Sequence, residues 1–360
     1  MLTDPPGQAV LKPVLGIEAS CDETAAAVLA GDGRILAETV SSQGTEHEPF
    51  GGVVPEIAAR AHLAQLPAIV TDVMARAGVD FASLAGVAAT GGPGLIGGLV
   101  VASQFAKGVA MAARVRYLAV NHLEAHALTA RLPGLMPGHG PTFPYLLLLV
   151  SGGHCQFVAV RGVGRYERLG GTVDDSAGEA FDKVAKLLGL GWPGGPALER
   201  LAVDGDGTAY AFPRPMLGRP GCDVSFSGLK TAVAMELARH GPGKLPRAAA
   251  ADIAASFQNA VAEVLADRSA QAMAMFAARH GPSCFVASGG VAANAALRSA
   301  LHHAAAAQGF SLVIPPARLC TDNAVMVAWA AIERLRLGWR DDVAFAPRPR
   351  WPLDAGDMRQ

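Results

Sequence analysis

Five absences narrow this 360-residue sequence. It has no CxxC pair: Cys21, Cys155, Cys222, Cys284 and Cys320 are scattered and odd in number. That excludes a zinc knuckle or a disulfide frame and points to reduced thiols in a cytosolic protein. It has no excess of positive charge, with 30 Lys and Arg against 31 Asp and Glu and a formal net charge of −1. A chain that grips nucleic acid unaided neutralises phosphates with Lys and Arg. Near-neutrality therefore leaves room for a local basic patch or a basic partner. The opening MLTDPPGQAVLKP carries acid and prolines where a signal peptide needs an apolar core. No apolar run is expected to reach the ~18 residues of a membrane span. A cytoplasmic location with no membrane partner is the expectation. Finally, the Gly-rich stretch ATGGPGLIGGLVVASQFAKGVA (89–110) lacks the GK[ST] of a Walker loop. Its glycines are expected to serve close helix packing between domains.

What is present is an alternation. Apolar residues make up 51% of the chain, ample for a large core, and the length suits two domains. Strand-like runs lie at 14–17, 86–89, 117–120, 145–150, 157–160, 284–287 and 311–314. Helical runs lie at 54–77, 97–113, 124–131, 176–188, 248–279 (with a break expected), 294–308 and 324–335. Ala-rich helices beside Val- and Leu-rich strands imply an α/β fold with sheets covered on both faces. A Pro/Gly stretch at 133–144 reads as a linker. The expected division is residues 1–135, residues 136–335, and a Pro/Arg-rich tail at 336–360. The helix near 324–335 is expected to pack back on the first domain.

Two segments share one layout. VLGIEASCDETAAAVLA (14–30) and YLLLLVSGGHCQFVAV (145–160) each read strand, turn of small residues, strand. Such turns let backbone N–H groups approach an anion, although ordinary hairpins have Gly turns too. Paired phosphate turns resemble the duplicated ribonuclease-H-like fold of actin, Hsp70 and sugar kinases. That resemblance implies two domains with a nucleotide cleft between them.

Chemistry-bearing residues cluster in four places. In NHLEAH (121–126), His122 and His126 are four apart and share a helix face. This is not the metalloprotease HExxH, because Glu124 falls two positions after His122 and points away. Such a pair alone more often packs than binds metal. A third ligand would change that, and Asp322 in CTDN (320–323) is the candidate, with a helix N-cap as its alternative reading. Two His and one carboxylate would suit Fe(II), with Zn(II) the rival. In DDSAGEAFDKVAKLLGL (174–190), Ser176 and Glu179 fit a capping box. Phe181, Val184, Ala185 and Leu188 form its apolar stripe. The crowded carboxylates Asp174, Asp175, Glu179 and Asp182 could meet a ligand's hydroxyl or amino groups. PGGP (193–196) offers a turn without side-chain bulk. Asn294 in SGGVAAN either caps a helix or reads a base or sugar.

Taken in order, IEASCDET, GGVVPEIAAR, GPGLIGG, NHLEAH, LLVSGGH, DDSAGEAFDKVAKLLGL, PGGP, FSGLK, SGGVAAN and CTDN cover about residues 14–335. Their set resembles the TsaD family of bacterial tRNA threonylcarbamoyladenosine transferases, once called glycoproteases. The resemblance implies transfer of a threonylcarbamoyl group from threonylcarbamoyl-AMP to an adenosine amine. The acceptor would be the adenosine beside the anticodon in tRNAs that read codons beginning with A. It implies iron on His122, His126 and Asp322, and an adenylate held by Leu149, Val150, Ser151, Gly152, Gly153, Asp182, Gly195 and Asn294. Some relatives have Asp where this chain has Glu199, a ribose candidate. A TsaB-like paralogue and a TsaE-like ATPase are the implied partners. Asp22 and Glu23 are candidates to accept the proton that leaves the amine. The rival readings are an ATP-dependent small-molecule kinase on the same fold, a non-catalytic nucleotide-binding scaffold, and the older protease.

Overall fold

The computed structural model describes residues 11–135, 140–241 and 245–354. Part of the expected linker (136–139) and the end of the tail (355–360) lie outside the described residues. The chain forms two compact units, one of residues 1–46, 53–140 and 322–355, the other of residues 47–52, 141–321 and 356–360.

The first unit opens with an antiparallel meander, β1 (Val14–Glu18), β2 (Glu23–Leu29) and β3 (Ile35–Ser42). A short α1 (Gly44–His47) and a long α2 (Pro55–Ala77) follow, then β4 (Gly86–Gly92), α3 (Ile96–Ala113), β5 (Arg116–Asn121) and α4 (His122–Thr129). The sheet runs β3-β2-β1-β4-β5, with β4 parallel to β1 and β5 parallel to β4.

The second unit repeats this plan. Its strands are β6 (Tyr145–Val150), β7 (Cys155–Gly162) and β8 (Arg165–Gly171). Helices α5 (Ala177–Leu187), α6 (Gly194–Ala202), α7 (Ser227–Arg239) and α8 (Arg247–His280) follow. Then come β9 (Cys284–Ser288), α9 (Ala295–Ala307), β10 (Ser311–Val313) and a short α10 (Ala317–Cys320). Read from its outer antiparallel strand, the sheet is β8-β7-β6-β9-β10, the topology of the first. The chain then returns to the first unit as α11 (Ala324–Arg336).

Successive residues of a strand face opposite sides, and β1 uses both. Leu15 and Ile17 join α2 and α3 in one core cluster. Gly16 faces α11, where a Cβ would fall 2.6 Å from the Ala324 carbonyl oxygen and the Ala328 nitrogen. Only glycine lets that helix sit so close.

Several expectations change. Helix α8 is unbroken over 34 residues, about 50 Å at 1.5 Å per residue; its run of buried Ala, Val, Phe and Leu holds it against the second core. The outer strands β3 and β8 and the helix α7 carry weak periodicity, α6 starts inside the PGGP turn, and all four are additions to the expected elements. Gly91, Gly92, Gly94, Gly97 and Gly98 pack inside the first unit, and Gly108 is exposed. Gly97 abuts Ala59 of α2, and Gly98 abuts His62 and the Ala19 carbonyl. Helix α3 is also long and apolar enough to cross a membrane by composition. Leu99, Ala102, Ala106 and Ala110 are buried, so one face of the helix serves packing. The tail beyond Phe345 is irregular but attached: Arg348 N–H donates to Gly91 O, Asn121 Nδ2 to Trp351 O, and Trp351 is buried.

Candidate active site

The two histidines are set by a cap. Asn121 Oδ1 accepts from the N–H groups of Leu123 (2.9 Å) and Glu124 (3.3 Å), which starts α4 at His122. His126 follows one turn later, and the rings meet edge to face with centroids 4.7 Å apart. The third group comes from the start of α11. There Asn323, not Asp322, is the N-cap, its Oδ1 accepting from Met326 N at 2.9 Å. The cap reading of Asp322 thus falls to its neighbour. Asp322 Oδ1 lies 3.1 Å from His126 Nε2 and 3.4 Å from His122 Nε2. One ligand atom from each of the three residues lies within 4.8 Å of the other two.

Glu124 has a different task. Its carboxylate is buried and ion-paired with Arg334 of α11, whose Nη1 also donates to Ala119 O of β5 at 2.5 Å. This pair ties α4, β5 and α11 together. A carboxylate held there cannot serve as the base of a metalloprotease.

Sequence reasoning misses a second layer of residues. Glu18, fully buried at the end of β1, places Oε2 3.3 Å from His122 Nδ1. The same atom accepts from Thr90 Oγ1, and Oε1 accepts from Ser20 N at 2.6 Å. Ser20 Oγ lies 3.2 Å from His122 Nδ1. With Nδ1 engaged, His122 turns Nε2 toward Asp322, the carboxylate–histidine arrangement that orients metal ligands. The available sequence signal is a charged residue closing the otherwise apolar VLGIE. Buried His62 holds the next turn in place, bonding Thr24 Oγ1 (2.8 Å), Gln43 Nε2 (3.1 Å) and Cys21 O (3.1 Å).

Electrostatics describe a centre short of positive charge. Burial works against a charged His122, yet Asp322 and Glu18 overcome it and hold the imidazole well above its ordinary value. Burial and then the neighbouring His122 hold His126 down, against the pull of Asp322. Asp322 and Glu18 resist the upward push of burial and stay below the usual carboxylate range because His122 is close. Burial, Asp322 and Asp22 push Glu23 up to about 9. Burial and Asp22 also push the Cys21 thiol up, so it offers no thiolate. Protons on His122 and Glu23 thus supply charge that a divalent cation would bring. His126 Nδ1 is buried without a partner among the described residues. Two imidazoles and one carboxylate, excess negative charge and a partly exposed Asp322 fit a divalent ion of the Fe(II) or Zn(II) kind.

The adenylate candidates all belong to the second unit. Leu149 and Val150 are buried at the end of β6, and their side chains serve the strand. In the following turn Ser151 N donates to His154 O at 2.7 Å, and His154 N to Ser151 Oγ at 3.2 Å. The N–H groups of Gly152 and Gly153 have no acceptor among the described residues, and a Cβ on either would meet nothing within 4 Å. Open space also lies over Gly195. The small residues there answer no packing demand from the fold. By contrast Gly178 of α5 presses on the turn, 2.7 Å from Ser151 O if it carried a Cβ. Parallel pairing sets Leu149 beside Ser288, so the Gly289–Gly290 turn after β9 lies beside the turn after β6.

The acidic side chains nearby are largely engaged. Asp182 Oδ1 accepts from Gly194 N (3.0 Å) and Gly195 N (3.2 Å), capping α6. Asp174 accepts from Phe226 N (2.9 Å), Ser227 N (3.3 Å) and Ser225 Oγ (2.5 Å) at the start of α7. Lys183 bridges Asp175 (2.9 Å) and Glu179 (2.7 Å). Ser176 does cap α5, but the reciprocal half of the expected capping box is replaced by that ion pair. Asn294 caps α9 through Leu297 N (3.1 Å) and donates to Gln258 (2.7 Å). Glu199 accepts from Ala295 N at 2.8 Å. Asp22 is buried beside Glu23 in the first unit.

Solved structures share the fold at low sequence identity. The HypF structure of T. kodakarensis matches with a TM-score of 0.60 at 15% identity, over 91% of this chain and 48% of that one. Component A of the Acidaminococcus fermentans (R)-2-hydroxyglutaryl-CoA dehydratase matches at 0.51 and 17%, over 90% and 99%. With two sheets of one topology, these likenesses show the duplicated actin, Hsp70 and sugar-kinase type of α/β fold. Sequence relatives are far more similar. The tRNA N6-adenosine threonylcarbamoyltransferase of Granulibacter bethesdensis is 64% identical over 350 residues, 96% of this chain and 95% of that one. The one from Gluconobacter oxydans is 59% identical over 347 residues, 95% and 93%. The family model for tRNA N6-adenosine threonylcarbamoyltransferase, TsaD, matches residues 34–329, and the chain belongs to that family.

Proposed function

We propose that this enzyme transfers the threonylcarbamoyl group of threonylcarbamoyl-AMP to the exocyclic amine of a tRNA adenosine. The acceptor is the adenosine beside the anticodon in tRNAs that read codons beginning with A. Family membership favours this over a small-molecule kinase or a silent scaffold. The observation that carries the chemistry is the convergence of His122, His126 and Asp322. These three would hold Fe(II), with Zn(II) the rival. A bound ion there supplies Lewis acidity toward a donor oxygen.

The chain's own groups do the rest. An adenine amine is a poor nucleophile, so the donor has to be an activated anhydride with a stable leaving phosphate. The N–H groups of Gly152 and Gly153 are suited to stabilise that phosphate as charge develops on it. Asp182 fixes the backbone at Gly195, and Asn294 and Glu199 fix the start of α9, where a nucleoside would be read. Glu18 and Ser20 hold the His122 ring in orientation. Asp22 and Glu23, in the turn after β1, are the candidates to accept the amine proton. A TsaB-like paralogue fits the exposed apolar side chains of Ile96, Val100 and Met111 on α3 and Leu63 on α2. A TsaE-like ATPase completes the set.

His122→Ala and Asp322→Ala are expected to lose bound metal and threonylcarbamoyl transfer while keeping the far-UV spectrum and melting profile of a folded chain. The measurement is mass spectrometry of tRNA nucleosides after incubation with donor adenylate and partners, beside elemental analysis of the protein. Wild-type transfer by a rigorously metal-free chain would overturn the assignment.

A further inference from the structure

We infer that the first unit carries a phosphate-binding groove for the tRNA backbone, remote from the metal cluster. The inference rests on the tRNA-modifying reading and adds a docking site to it. A groove of about 710 Å3 is lined by Lys12, Arg114, Arg116 and Arg340, with Asp341 as its one carboxylate among the described residues. All four cations are exposed, and none forms an ion pair among the described residues. Asp341 does not offset them freely. Its Oδ2 accepts from Ala119 N at 2.9 Å, and its backbone bridges to Tyr117 on the groove floor.

Two features set this cluster apart from an ordinary solvated face. The whole chain carries a net charge of −1, so four cations around one groove, without an ion pair among the described residues, concentrate positive potential in a molecule otherwise balanced. Like charges gathered in this way repel one another until an anion sits among them. Arg114 is also the C-cap of α3, in the left-handed region at φ 57°. Glycine is the usual residue there, and a side chain at such φ costs stability. The fold accepts that cost at a position where a guanidinium overhangs the groove.

The placement suits a long polyanion. Lys12 precedes β1 and Arg116 opens β5, whereas Glu18 closes β1 and His122 follows β5. Groove and cluster therefore occupy opposite ends of one sheet, roughly 17 Å apart along β5 at 3.3 Å per residue. A folded tRNA is much longer than that. Arginine forks bind phosphate oxygens in pairs, and three of them lining one groove suit a polyanionic backbone.

The test compares the full-length chain with the variant Lys12→Gln/Arg114→Asn/Arg116→Gln/Arg340→Gln. Arg114→Asn tolerates the left-handed backbone, and the double variant Arg116→Gln/Arg340→Gln serves if the quadruple one folds poorly. The probe is a transcribed tRNA that reads a codon beginning with A, titrated by fluorescence anisotropy between about 50 and 300 mM KCl (a roughly sixfold range around physiological salt). The expected result is at least tenfold weaker binding by the quadruple variant. The slope of log affinity against log salt should become shallower by roughly 0.9 for each phosphate that the variant no longer neutralises. Bound metal should be unchanged. Unaltered affinity and slope, in a preparation whose wild type modifies tRNA, would overturn the groove alone. A wild type that, supplied with donor adenylate and partners, neither binds nor modifies tRNA would overturn the functional reading with it. Loss of poly-glutamate binding with tRNA binding intact would assign the groove to an acidic protein and refute the inference.

Discussion

The buried pair of Glu124 and Arg334 makes a sharp test, because the protease and strut readings of Glu124 predict opposite results. The perturbation is Glu124→Ala. Both side chains are almost wholly enclosed, so the variant leaves a guanidinium buried without its carboxylate. Breaking one side of such a pair costs about 3–5 kcal/mol. A unit of this size loses about 2–4 °C of melting temperature per kcal/mol, which gives a fall of roughly 6–20 °C. The assay is thermal and urea unfolding of the metal-free chain, where ligation cannot mask the change. A second variant, Glu124→Leu with Arg334→Met, removes both charges and should recover most of the loss. About 1 kcal/mol would remain, because Ala119 O loses its donor. If Glu124 were a catalytic base, its removal would abolish activity and leave the melting temperature nearly untouched. A fall of less than about 1 kcal/mol would refute the strut.

Two more expectations concern single side chains. Glu18→Gln keeps the shape beside His122 but removes the charge; metal affinity, read by competition with a chromophoric chelator, should drop by about 10- to 100-fold. Equal affinity would remove Glu18 from any role in orienting the ring. Burial pushes the Asp174 carboxyl up, but bonds from Ser225 Oγ and the N–H groups of Phe226 and Ser227 outweigh it and hold the group below its ordinary value. A depressed folded-state value means stability that is present above the unfolded value and lost as pH falls through the folded one. Asp174→Ala should therefore cost about 1 kcal/mol at neutral pH, and the gap from wild type in urea midpoint should close below about pH 4. A gap independent of pH would sink this account.

Much of the fold is legible in the sequence because its core strands are nearly pure Val, Leu and Ala. Val14, Gly86, Tyr145 and Cys284 mark strand starts that sequence and structure share. What escapes is the polar rim: β3 and β8 are outer strands with one partner each, so alternation is diluted by exposed side chains. Helix α6 hides behind PGGP, whose prolines and glycines read as a turn although Pro193 is the N-cap. In the candidate site, His122 and His126 are visible from helical spacing, and Asp322 is one of two readings of CTDN. The deciding fact, that Asn323 takes the cap, is local geometry that spacing does not encode. Glu18 is harder, since its importance lies in complete burial next to a residue 104 positions away. Asn294 reads equally as a structural cap or a ligand contact, and the structure shows it making the cap, while Asp182 turns out to hold the start of α6, a role its spacing does not announce.

The order of the cluster along the polypeptide sets a schedule for its assembly. His126 and Asp322 are separated by 196 positions, and every residue of β6 through α10 lies between them. On the ribosome both imidazoles emerge early, while the carboxylate is still untranslated. No nascent form can offer all three groups until synthesis is almost finished. Loading of an ion must then come late, and a truncated product ending before residue 322 would carry His122 and His126 without their carboxylate.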